Sequence, residues 1–152
     1  MKLVVNDFDK KIKGAWAVMY KQSKRGEKIK YTTQDICCFV INGDSFAVIK
    51  NIPAWGDDGL IAPPTYAMDF AKVVETGKIN LYKYSGDWVV EKDGQSDLLT
   101  QLHFNVQMAK YLEDYPALLH RLQSNQLEYT KDKDDTQAIV KYYNEYARIN
   151  LK

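Results

Sequence analysis

The sequence predicts an α+β fold, a mostly antiparallel β-sheet of hairpins over the N-terminal two thirds covered by two to three short C-terminal helices, in a single domain over residues 1–152. Three observations carry this. Asn42-Gly43 sits between two apolar runs, 31–41 and 44–52, and Asn-Gly readily supplies the two positive φ angles of a tight hairpin turn. Apolar and polar residues alternate again over 11–20 and 79–84, the period of a half-buried strand. Only after Phe104 does the apolar spacing become helical.

In chain order, residues 3–5 are a short apolar run and 6–9 are turn-like, which allows the first two strands to form a hairpin. Residues 22–30, rich in Lys and Arg, read as an exposed connection. The central hairpin has its register set by the two-residue loop: Ile41 faces Asp44, Phe39 faces Phe46, Cys38 faces Ala47, Cys37 faces Val48 and Ile36 faces Ile49. Residues 53–64 hold three prolines and two glycines and read as a long surface loop. Phe70, Val73 and Val74 then recur at helical spacing, with Thr65 as a cap and Gly77 as the residue past the end, so 66–76 reads as a short helix, although a strand also fits 71–75. A second hairpin follows over 79–91, turning at Ser85-Gly86-Asp87 and ended by Asp93-Gly94.

Phe104, Met108, Tyr111 and Leu112 form one helical stripe that should stop near Asp114, ahead of Pro116. Pro116 suits the first turn of the next helix, with Leu118, Leu119 and Leu122 inward. After the polar break 131–135, Asp135 or Thr136 caps a last helix facing the core with Ile139, Val140, Tyr143, Tyr146 and Ala147.

Composition narrows the function. A formal net charge of +1 leaves no basic footprint for nucleic acid, so that partner is not expected. No apolar run reaches the roughly 18 residues of a membrane-spanning helix, and the N-terminus lacks the apolar core of a leader. The adjacent Cys37 and Cys38 read as two small buried thiols on opposite faces of a strand, without zinc or redox spacing.

No catalytic constellation is visible. His103 and His120 read as ordinary helix histidines, so no catalytic residue, metal ligand or cofactor is expected. Asp44, Asp57 and Asp58 have glycines nearby but lack the spacing of a calcium loop. Trp16 and Trp88 suit the core. Trp55 lies in the proline-rich loop beside Asp57 and Asp58, where a rigid aromatic face can stack on a sugar or anchor a protein. Trp55, Asp57, Asp58 and Tyr66 are therefore the candidate binding residues for an unknown protein or glycan. The alternative is an enzyme of unidentified class using loop acids and a histidine. Oligomeric state is not legible.

The phrases YTTQDICCFVINGDSFAVIKNI, DFAKVVETGKINLYKY, AKYLEDYPALLHRL and AIVKYYNEY resemble, in this order, a family of small secreted or envelope proteins of Bacteroidetes-type bacteria. Those proteins show the patterns Y-x-x-x-D-I-x-G-F, G-K-I-x-L-Y, D-x-P-x-L and I-V-x-x-Y-N, covering about residues 31–146. Cys38 stands where the pattern has Gly, and Tyr115 where such helices often carry Cys. The family is a domain of unknown function with no established activity. What the resemblance implies is a periplasmic or secreted location, with a leader ahead of this sequence; taken as full length, the chain would be cytoplasmic.

Overall fold

The computed structural model describes residues 2–4, 8–9, 19–22, 28–54, 65–130 and 132–151. In chain order these form β1 (Lys2–Val4), β2 (Phe8–Asp9), β3 (Met19–Gln22), β4 (Lys28–Tyr31), β5 (Cys38–Ile41), β6 (Asp44–Ala54), β7 (Thr65–Glu75), β8 (Asn80–Tyr84), β9 (Asp87–Lys92), β10 (Gln95–Leu98), α1 (Phe104–Tyr111), α2 (Pro116–Gln123) and α3 (Thr136–Asn150). This is the expected α+β arrangement, strands first and helices last. Two compact units divide the chain, Met1–Val73 and Val74–Lys152.

The first unit is built on the β5–β6 hairpin. Asn42 and Gly43 take φ of 50° and 85°, and the ladder pairs Ile41 with Asp44, Phe39 with Phe46 and Cys38 with Ala47, the register expected from the two-residue turn. Val48 N–H donates to the Cys37 carbonyl at 2.9 Å, carrying the pairing one step further. Phe39 stacks on Phe46 at 4.9 Å between ring centres and meets Phe70 edge-on at 5.0 Å; with Ile36 these rings make the local core.

Four expectations are corrected in this unit. Residues 66–76 are not a helix: β7 is an eleven-residue strand antiparallel to β6, from Phe46 opposite Lys72 to Ala54 opposite Thr65, with a register shift between Ile49 and Ile52. An apolar run this short fits either period, and the long β6 ladder together with β-favouring Thr65, Tyr66, Val73 and Val74 decides for strand. β1 does not turn back on its neighbour but runs parallel to β5, Leu3 opposite Phe39, a pairing that the long connection between them makes reachable. Residues 28–30, read as the end of an exposed connection, belong with Tyr31 to β4, which pairs with Met19–Gln22; the alternation of Lys and apolar residues is a strand pattern that the positive charge obscures. Finally, Cys37 is exposed and Cys38 half-buried, since β5 begins only at Cys38. Most of the strand expected over 11–20, with Trp16, lies outside the described residues.

The second unit is a meander, β8–β9–β10, packed against three helices. Ser85-Gly86 and Asp93-Gly94 both adopt positive φ, 49° and 99°, then 52° and 82°. The second pair was expected to end the hairpin; instead it turns the chain into β10, which pairs antiparallel with β9. Ile79, Leu81 and Val90 meet the stripes Phe104, Met108, Tyr111, Leu112 of α1, Leu118 and Leu122 of α2, and Ile139, Val140, Tyr143 and Ala147 of α3, all buried. These are the faces the helical spacing assigned inward. Tyr146 is half-buried instead and stacks flat on Tyr115 at 3.9 Å.

Two polar clasps fix the helices on the meander. The Asn144 side chain accepts from Ile79 N–H at 2.9 Å and donates to the Ile79 carbonyl at 2.8 Å, so an amide on α3 behaves as one more strand residue beside β8. Gly77 is what makes room for it. It is not a helix terminator: a Cβ there would lie 2.5 Å from Asn144 Cγ. In the second clasp the Lys92 ammonium donates to the Tyr111 carbonyl at 3.0 Å and to Asp114, whose Oδ2 also accepts from the Tyr143 hydroxyl at 2.8 Å. Desolvation raises the Asp114 pKa, but the bonds from Tyr143 and Lys92 outweigh it and hold the carboxyl below its ordinary 3.8.

Gly77→Ala should cost about 1–3 kcal/mol in urea denaturation, because Asn144 can move aside only by giving up both bonds to Ile79. In an Asn144→Ala background the same change should cost less than about 0.5 kcal/mol, as expected for an exposed site with no clash. Because the folded-state pKa of Asp114 is lowered, its contribution is complete above the unfolded value and is lost as pH falls through the folded one. Thermal unfolding of the native chain should therefore drop more steeply below the ordinary carboxylate range than that of Asp114→Asn.

Candidate functional site

The sequence-based candidates fall at the limit of what is described. Trp55, Asp57 and Asp58 lie outside the described residues. Tyr66 belongs to β7, its backbone opposite Pro53 of β6. Asp44 forms an ion pair with Lys72 at 2.8 Å. His103 and His120 are both exposed, and His103 Nδ1 lies 3.2 Å from Thr100 Oγ1 in the turn that opens α1. Among the described residues no cluster of three His, Cys, Asp or Glu side chains could hold a metal ion.

The structure builds a site the spacing did not announce, around Trp88 in the second unit. Trp88 is half-buried at the margin of the core rather than within it. The Lys83 ammonium sits 3.8 Å above its ring, a cation–π contact made possible because Lys83 and Trp88 are directly opposed on β8 and β9. The indole N–H donates to Asp134 Oδ2, while Asp134 Oδ1 accepts from Thr136 N–H at 3.0 Å. One carboxylate thus joins β9 to the first turn of α3, where negative charge is also favoured by the helix dipole. The last helix is therefore anchored by Asp134, while Asp135 bonds back to Glu128 N–H at 2.8 Å instead of capping.

This arrangement holds open a groove of about 550 Å³, lined by Lys83, Asp87, Gln101, Tyr129, Thr130 and Asp134 among others. Tyr129, stacked on Phe104 at 5.2 Å, forms one wall. Burial first, then the Asp87 and Asp134 carboxylates, push its phenol upward, so it remains a hydrogen-bond donor at neutral pH. Gln101, Tyr129 and Thr130 also border a second groove of about 340 Å³, whose other walls include Phe104, Asn105, Val106, Asn125 and Leu127. At its rim stand Leu102 and Val106, 86% and 68% exposed.

The surface combines an aromatic wall, several amides, the Lys83 cation and the carboxylates of Asp87, Glu128 and Asp134, flanked by two apolar side chains in solvent. Its members come from four segments between Lys83 and Asp134, and no local pattern links them. Asp134 in particular sat within the run 131–135, which reads as a solvated charge cluster. The one legible signal was Leu102 and Val106, apolar residues off the buried stripe of α1. No family model, curated protein or solved structure matches this chain.

Asp134→Ala removes the acceptors of both Trp88 and the first turn of α3. It should destabilise the chain by about 1–2 kcal/mol in denaturant titration. The native-state indole fluorescence should change with it, whereas Asp132→Ala should leave both unaltered.

Proposed function

We propose that this chain is a non-catalytic binding domain of the bacterial envelope that holds a polypeptide partner on the surface around residues 98–106 and 125–134. The observation that carries the reading is the pair Leu102 and Val106, exposed beside a groove walled by Tyr129 and bordered by the side-chain amides of Gln101, Asn105 and Asn125. Isolated exposed apolar residues need no explanation, but Leu102, in the turn before α1, and Val106, within it, border one formed groove and suit an interface, where apolar anchors sit among polar rim groups. The resemblance to envelope proteins supports the location. Trp55, Asp57, Asp58 and Tyr66 are proposed as a further contact on sequence grounds alone.

The same residues favour binding over turnover. Asp134 is committed to Trp88 and α3, Lys83 to the indole face, and His103 to the turn opening α1.

Binders selected from a peptide display library should lose affinity at least about tenfold on Leu102→Asp with Val106→Asp, a loss of about 1.4 kcal/mol, and similarly on Tyr129→Ala. Retention of binding by Trp55→Ala would assign it to the helical surface, and its loss would assign it to the loop. Selection of glycans instead of peptides on an array, or binders indifferent to all these changes, would overturn the reading.

A further inference from the structure

Cys37 and Cys38 lie in the first unit and take no part in the surface just described. In a regular strand neighbouring side chains point to opposite faces and their sulfurs cannot meet. Here Cys37 occupies the bend before β5 and Cys38 is its first residue, and this break in the pleat brings the two sulfurs to 3.5 Å. Cys37 is exposed and Cys38 half-buried. The hydrogen bond between them is the largest influence on Cys37 and lowers its pKa, since a thiol donating to a thiolate stabilises the charge.

We propose that Cys37-Cys38 is a redox modification site, a vicinal dithiol that closes to a disulfide by exchange with a small disulfide of the glutathione class. The order of events follows from exposure. Cys37, as thiolate, attacks one sulfur of the small disulfide, forming a mixed disulfide and expelling one small thiolate, which takes up the proton that Cys37 released. Cys38 then attacks the Cys37 sulfur, gives up its own proton, and expels the second small thiol. Two protein thiols are oxidised and one small disulfide is reduced to two thiols, so atoms and electrons balance. Closure needs the sulfurs to approach from 3.5 Å to a bond of about 2.05 Å, which the bend permits more readily than a continuous strand. The small ring is strained, and strain makes a disulfide easier to reduce, so the modification is reversible.

The test is treatment of the whole chain with oxidised glutathione, followed by thiol alkylation and mass spectrometry. The expected product has lost two hydrogens, carries no alkyl group on either cysteine, and returns to the dithiol with reduced glutathione. Cys38→Ser should accumulate a single glutathione adduct on Cys37, while Cys37→Ser should react at least about tenfold more slowly, because the remaining thiol is half-buried and lacks its partner. Circular dichroism checks that each variant is folded, and alanine replaces serine where it is not. Chain-to-chain disulfides, stable double adducts, equal rates for the two single variants, or thiols that stay alkylatable would each overturn the proposal.

Discussion

Three pairs of residues held at positive φ, Asn42-Gly43, Ser85-Gly86 and Asp93-Gly94, set the register of the hairpins β5–β6, β8–β9 and β9–β10. A two-residue turn of this hand matches the right-handed twist of the strands it joins and leaves no freedom of register. A slip by one residue would turn each strand over and move its apolar set to the wrong face. Phe39 can stack on Phe46 because Asn42-Gly43 puts them opposite. Lys83 can sit on Trp88 because Ser85-Gly86 does the same. The aromatic pair that organises the first unit and the cation–π pair that organises the groove have one origin.

The helices answer a different constraint. The meander must be sealed by amphipathic elements, and apolar contact is not directional, so stripes of Leu, Ile and Val alone would tolerate several helix positions. Polar clasps remove that tolerance. Asn144 on Ile79, Lys92 on Asp114 and Asp134 on Trp88 each require one geometry. The groove follows from the third clasp, since the segment carrying Tyr129 and Thr130 leads directly into Asp134 and is held in place by it.

The limits of reading are visible in particular residues. The stripe Phe104, Met108, Tyr111 and Leu112 was legible because the helical period repeats over several turns. Over residues 66–76 the helical spacing of Phe70, Val73 and Val74 spans too short a window to separate two periods, and the segment is strand β7. Gly77 was seen, but for the wrong reason: its value lies in the approach of Asn144, a residue far along the chain. Alternation carried one residue ahead of β5 places Cys37 inside a strand, whereas it lies exposed in the bend before Cys38.

The sequence by itself determined the α+β class, the register of the central hairpin, the hairpin of β8 with β9 and the inward faces of the three helices, because each of these is written in neighbours a few positions apart. Tertiary structure decided that β7 is a strand, that β1 lies parallel to β5, and that Lys83, Tyr129 and Asp134 line one groove beside Trp88. Those outcomes depend on which backbone edges and polar groups still lack partners once the local elements have formed, and no local stretch of sequence carries that information.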